Sequence, residues 1–246
     1  MSEIPYGIEG KDWMQAEQTF AQLERQISQY DLLRHPFYEA WSAGTLTETD
    51  LQEYASEYYH HVAAFPTYLS ALHSRLPDGA LRRVVLRSLC EEEIDGVAHS
   101  ELWLDFAEGV GADRDSVRKR IPLPHVQELI STFRSLMQSP SGALAAFYAY
   151  ESQAPRIAKE KARSLVTHYR ADLRTCRYFE LHRLVDQHHS RVWKQELEKL
   201  LSGEPALADE AFGGAAEAAR SLWRALDGIE ESRQKRLKEN RSKIPN

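Results

Sequence analysis

Tyr178-Phe-Glu-Leu-His182-Arg-Leu-Val-Asp186-Gln-His-His189-Ser-Arg-Val-Trp193 is the stretch whose reading decides the rest of the chain. Nothing in it breaks a helix. At about 100° per residue, Asp186 lies about 40° from His182 and His189 about 20° to the other side, so the three share one face over two turns. Phe179, Trp193, Leu197 and Leu200 continue that face, which makes it the apolar, inward one. Two imidazoles and a carboxylate aimed into a core are unfavourable unless something compensates them. A metal does so, because nitrogen and oxygen donors of this kind suit iron, manganese or zinc. For this helix alone, a His-Asp ion pair and ordinary hydrogen-bonded core histidines are the simpler alternatives.

Outward from this helix the chain reads as all-α. Its 12 glycines and 10 prolines tend to fall between long periodic segments, and alternating β-branched runs are few. The pattern predicts helices over about 12–30, 37–42, 47–76, 80–108, 126–137, 143–169, 173–201 and 207–238. Thr47 with Asp50 forms a capping-box signature at the start of the third, and Pro66 should bend it. Pro77-Asp78-Gly79, Gly109-Val-Gly111 and Ser139-Pro140-Ser141-Gly142 mark breaks. With no repeat or linker, one domain over 1–246 is expected, its helical core at about 12–228 and a frayed tail at about 239–246.

Two further helices carry the same anomaly. Over 80–108 the inward stripe runs Leu81, Val85, Leu89, Glu92, His99, Leu102, Phe106. Glu92 and His99, seven apart, project from one side, whereas Glu91 and Glu93 fall about 80° and 120° away from His99. Over 143–169 the stripe is Leu144, Phe147, Glu151, Ala154, Ala158, Lys161, Leu165, so two charges interrupt an apolar seam. Each needs a partner. Pro155 cannot donate to the carbonyl of residue 151, so the helix should kink beside that glutamate. Glu92 and His99 pairing with cations across the bundle, and a buried Glu151–Lys161 or Glu151–Arg156 ion pair, remain open. Taken together, Glu92, His99, Glu151, His182, Asp186 and His189 are three carboxylates and three imidazoles, a set that suits two metals of the kind held inside carboxylate-bridged helical bundles. Iron or manganese fits it better than a structural zinc.

Composition narrows the class. A net charge of −6 argues against nucleic acid as partner. The sequence has no run of 18 apolar residues and no signal-peptide form at its start, so neither membrane insertion nor export is expected, and a cytoplasmic location is. Cys90 and Cys176 read as free, buried thiols.

The chain resembles the haem-oxygenase-like dimetal oxidases, and within them the group of the chlamydial proteins associating with death domains and their bacterial relatives. The residues that carry the likeness are His35-Pro-Phe-Tyr38-Glu-Ala-Trp41, Tyr58-Tyr59-His60, Ala64 to Arg75, Glu92 through His99 to Trp103, Tyr148-Ala-Tyr-Glu-Ser-Gln-Ala-Pro-Arg-Ile-Ala158 and the His182–His189 stretch. The resemblance implies a seven-helix bundle shared with thiaminase-type and pyrroloquinoline-quinone synthase-type proteins. It puts the dimetal ligands on the six positions above, as iron with manganese or as two irons. It also implies synthesis of p-aminobenzoate for folate, with Tyr38 supplying the ring and Lys161 the amino group, and with dioxygen and an external electron donor as co-substrates. A homodimer is a further expectation of the family. Tyr54 and Tyr150 are phenols suited to relay a radical, and His188 is a rival donor should the helix register drift. Apart from the resemblance, Tyr38 reads as an aromatic anchor between Phe37 and Trp41.

Two other functions compete. A relative acting on a diffusible carboxylated molecule predicts a sealed pocket with cationic residues, for which Arg75, Arg156 and Arg163 are the candidates. A non-enzymatic interaction module would use the acidic surface helices.

Overall fold

The computed structural model describes residues 20–242, and every element in it is helical. After a first helix α1, described over residues 20–28, a 3₁₀ turn Leu32–Arg34 leads into the short α2, Pro36–Ser42. Then come α3 (Glu48–Arg75), α4 (Ala80–Glu93), α5 (His99–Gly109), α6 (Arg114–Lys119), α7 (Pro124–Leu136), α8 (Pro140–Glu151), α9 (Ala154–Tyr169), α10 (Leu173–Gly203) and α11 (Ala208–Ser242). The expected helix positions 12–19 and tail positions 243–246 lie outside the described residues. The rest of the expected tail, 239–242, is the end of α11.

Local chemistry explains the boundaries. Thr47 and Asp50 form the reciprocal capping box at the start of α3, and Pro66 is accommodated inside it. Ser139, read as a breaker, is instead the N-cap of α8: its hydroxyl accepts the Gly142 N–H at 3.1 Å and Pro140 occupies the first turn, so the helix starts earlier than periodicity implies. The unpredicted α6 is capped by the Asp113 carboxylate, which accepts the Ser116 N–H at 2.8 Å.

Two expected rods are each split. The 80–108 rod breaks at Ile94–Ala98, where Gly96 adopts φ +103°, a conformation that suits glycine. The 143–169 rod breaks at Ser152–Gln153, immediately before the Ala154-Pro155 start of α9, so the proline ends a helix rather than kinking one.

α8 is the central helix. It is apolar all round, and Ser141 to Ala149 are all buried. α10 and α11 pack along it, with α9 and α5 against α10 and α7 against α11. Gly214 of α11 approaches Gly142 so closely that a Cβ there would lie 3.0 Å from the Gly142 Cα. Trp41, Trp103, Trp193, Tyr54, Phe106 and Phe147 are among the largest fully buried side chains. Cys176 is buried and Cys90 half-buried, both as free thiols. No helix among the described residues is long and apolar enough to cross a membrane.

Candidate metal centre and the adjoining lysine–tyrosine cluster

The six side chains singled out by periodicity are all buried and fall into two groups of three. Glu92, from the end of α4, meets His99 at the start of α5 and His182 of α10. Glu151, the last residue of α8, meets Asp186 and His189 of α10. Within each group one ligand atom per residue lies within 4.8 Å of the others. The inward face of α10 thus serves both triads, and the two helix breaks fall beside the ligands that come from elsewhere.

The donor atoms have the properties of a metal site. His182 donates from Nδ1 to the Tyr178 carbonyl at 2.8 Å, which fixes the tautomer and leaves the Nε2 lone pair free. Burial, with His99 beside it, pushes its pKa down to about 4, so the ring is neutral near pH 7. His189 donates from Nε2 to Glu91 Oε2 at 2.5 Å, and its Nδ1 faces Glu151 Oε2 at 3.6 Å and Asp186 Oδ1 at 3.8 Å. That Nδ1 has no hydrogen-bond partner; neither has His99 Nδ1, although Glu92 Oε2 is only 2.9 Å away. Donors that converge this closely could share a cation. Burial, followed by the charge of Glu92, pushes Asp186 well above the ordinary carboxyl range, and burial with Asp186 and Glu92 does the same to Glu151. A bound cation relieves this stress. The residues present therefore fit a pair of metal ions.

The ion-pair alternatives for Glu151 are not what the structure contains. The Trp193 indole donates to Glu151 Oε2 at 2.6 Å, while Arg156 pairs with Asp31 at 3.1 Å on the surface. Lys161 turns to phenols: its Nζ donates to Tyr38 Oη at 2.8 Å and to Tyr54 Oη, and the two hydroxyls lie 3.0 Å apart. The amine also sits 4.0 Å from the centroid of the Tyr38 ring. Burial holds Lys161 well below the usual lysine range, and pushes Tyr38 and Tyr54 well above the usual tyrosine one. These shifts favour the neutral form of the amine and of both phenols.

A cavity of about 40 Å³ joins the two clusters, with Tyr38, Tyr54, Lys161, Tyr178, His182 and Asp186 in its wall. Tyr150 lines it as well, whereas His188 is exposed and stays clear of the donors. Arg75, Arg156 and Arg163, expected to receive a carboxylated substrate, are instead surface residues engaged with Gln138, Asp31 and Glu160. Sequence reasoning missed two contributors. Glu91 was set aside on its angle to His99 but faces His189, and Trp193 counted as plain core although its indole N–H holds Glu151.

Residues 52–223 match the family described as "Iron-containing redox enzyme", and the chain belongs to that family. It is 36% identical over 209 residues to a 4-aminobenzoate synthase of Chlamydia pneumoniae, covering 84% of this chain and 92% of that one. A weaker likeness, 29% over 147 residues, links 55% of the chain to 57% of a pyrroloquinoline-quinone synthase of Acidiphilium cryptum. Among solved structures, a Shewanella denitrificans domain of unknown function with a heme oxygenase-like fold superposes with a TM-score of 0.76 at 18% identity, over 87% of this chain and 93% of that one. The fold is therefore haem-oxygenase-like, as the resemblance implied, with eleven α-helices among the described residues where seven were expected.

Proposed function

We propose that this protein makes p-aminobenzoate from its own Tyr38, with Lys161 as the nitrogen source and the six buried donors holding two metal ions. The relative named for 4-aminobenzoate synthesis supports the product. The position of Lys161 supports the route. Tyrosine and p-aminobenzoate share a para-disubstituted ring, with a carboxyl in the product where tyrosine has Cβ and an amine where it has the phenol oxygen. Conversion must cleave Cα–Cβ, oxidise Cβ to a carboxylate at the expense of dioxygen, exchange the phenol oxygen for the Lys161 nitrogen and break the Lys161 Cε–Nζ bond to free the amine. Lys161 Nζ lies 2.8 Å from the oxygen to be exchanged, and this single contact carries the reading.

A redox-active metal pair bound at the two triads supplies dioxygen activation and oxidising power. The chain's own groups do the rest. Burial pushes the Lys161 amine well below the usual lysine range, toward its unprotonated, nucleophilic form. Tyr54 Oη bonds both the amine and the Tyr38 phenol, which holds the pair in register and can relay a proton between them. Aromatic walls leave little room for water that would compete for an oxidised ring. The electrons for dioxygen must come from an external reductant.

The size of the cavity also favours an internal substrate. About 40 Å³ accommodates two or three waters or dioxygen, whereas a benzene-sized guest takes about 150 Å³. With the three candidate arginines on the surface, a diffusible aromatic acid has little room there and meets none of those arginines.

Isotopes test the reading. Protein grown with ring-¹³C tyrosine and ε-¹⁵N lysine, then given iron, manganese, reductant and dioxygen, should release p-aminobenzoate carrying both labels. The peptide containing Tyr38 should lose the corresponding mass. Unlabelled product from an added precursor, with the protein mass intact, rejects the proposal in favour of a diffusible substrate.

A further inference from the structure

Tyr38 sits on a helix that cannot hold itself in place. α2 has seven residues, far below the length at which an isolated helix persists in water. His35 secures its start. The imidazole is fully buried, and its Nδ1 accepts the Phe37 N–H at 3.1 Å as N-cap. That bond requires a lone pair on Nδ1, so the ring proton is on Nε2, which donates to Asp227 Oδ1 at 3.1 Å. The ring meets Trp223 edge-on at 4.7 Å between centroids. Asp227 and Trp223 are four apart on α11, which is itself packed along α7 and α8.

The other side of the segment is tied as well. The Leu32 N–H donates to Gln153 Oε1 at 3.0 Å, and Gln153 lies in the joint between α8 and α9, two residues after Glu151. The run from Leu32 to Tyr38 is thus pinned to α11 on one side and to the elbow beside a metal donor on the other.

We propose that His35 and Asp227 are positioning residues that set the Tyr38 phenol against Lys161, an inference that rests on Tyr38 being the reacting ring. His35 acts through the first turn of α2, and Asp227 acts through His35. The Asp227 side chain is 43% exposed, so replacing it removes the anchor without opening the core.

Full-length, metal-loaded Asp227→Ala, Asp227→Asn and His35→Asn proteins provide the test. An asparagine at 227 still offers an oxygen to the His35 Nε2–H. An asparagine at 35 keeps a cap for the Phe37 N–H but does not span to Asp227. Two readouts are needed. One is the rate at which Tyr38 loses mass in a single turnover. The other is the ¹⁹F resonance of Tyr38 in protein labelled with 3-fluorotyrosine, assigned with Tyr38→Phe and recorded without dioxygen. Asp227→Ala should consume Tyr38 roughly tenfold to a hundredfold more slowly while keeping its metal, as expected for a displaced reactant. Its Tyr38 ¹⁹F signal, with that of its partner Tyr54, should shift or broaden while fluorotyrosines remote from Tyr38 stay put. Asp227→Asn should stay close to wild type in both readouts, and His35→Asn, which keeps a cap but loses the tie to α11, should be at least as slow as Asp227→Ala. A wild-type rate and unchanged signal in Asp227→Ala overturn the proposal, as does an Asp227→Asn protein as slow as the alanine variant. If wild-type protein leaves Tyr38 intact, the self-consumption reading fails, and the ¹⁹F comparison still decides whether His35 and Asp227 position the phenol.

Discussion

The two ends of the cavity bury opposite charges and handle them in opposite ways. At the donor end Glu92, Glu151 and Asp186 converge with three imidazoles, and among the described residues no lysine or arginine bonds to any of these carboxylates. At the other end Lys161 is buried with no carboxylate partner among those residues, only phenols. An excess of buried acid calls for a cation from solution, whereas a lone buried amine settles the problem by giving up its proton. The proposed metal at one end and nucleophile at the other would account for this contrast.

Removing a donor should have the largest effect. Asp186→Ala should lower metal affinity by more than about 100-fold, beyond what loss of an outer hydrogen bond costs, and abolish product. Metal analysis after gel filtration checks this. Full occupancy in the variant would break the comparison, because the acids would then be paired without a metal. Lys161→Met comes next and should separate stability from function. It removes a buried polar group with no counter-ion and replaces it with an apolar one of similar reach. Stability should rise by about 1 kcal/mol, or about 2–4 °C in Tm for a chain of this size, while product falls below detection. Calorimetry beside product analysis reads both, and a lowered Tm would mean that the lysine contributes to the fold.

The two ends also differ in how far the sequence revealed them. The donor end was legible because α10 is unbroken: His182, Asp186 and His189 sit on its apolar stripe, and period alone exposes them. Glu92 and His99 were found through an assumption that does not hold, a continuous helix across 80–108. The apolar stripe stays in phase across Ile94–Ala98, so periodicity gave no sign of the break. The pair still meets because one residue lies near the end of α4 and the other begins α5. The same assumption hid Glu91, since an angle measured to His99 says nothing about His189 on another helix. Pro155 marked a discontinuity beside Glu151 correctly, and only its severity was underestimated. At the other end, the anomaly of Lys161 was visible as a charge in a seam, but its contact with Tyr38 joins residues 123 apart and depends on how α2 folds back. No local pattern encodes that approach, and the expectation came from resemblance instead.

Glu91 offers a finer test of the donor end. Its carboxylate accepts from His189 Nε2 and so aims Nδ1 at Glu151 and Asp186. Glu91→Ala should weaken the second triad by about 10- to 100-fold and leave the first close to wild type, the usual cost of an outer partner to a ligating histidine. Titration with cobalt(II), followed optically, should resolve one weakened site and one unaffected site. Equal weakening of both would mean that the triads load as a single unit.

The smallest expected effect is in the pH dependence of metal-free protein, and there the two ends should have opposite signs. Asp186 and Glu151 are pushed above the carboxyl range on folding, so the folded chain holds protons that the unfolded chain releases. Stability is then unaffected below about pH 4 and falls as pH climbs toward the raised folded values. Lys161 is pushed below the lysine range, so the unfolded chain holds a proton that the folded one has lost. Its cost is greatest at low pH and fades as pH rises from the depressed folded value toward about 10.4. Tm measured from pH 5 to 9 on metal-free wild type, Asp186→Asn and Lys161→Met separates the two. Wild type should lose ground to Asp186→Asn as pH rises and gain ground on Lys161→Met. Metal loading should flatten the first trend, because the cation then compensates the carboxylates, and leave the second in place, because Lys161 lies among phenols rather than donors. Two trends of the same sign would mean that the cavity does not hold its acids and its amine in opposite states.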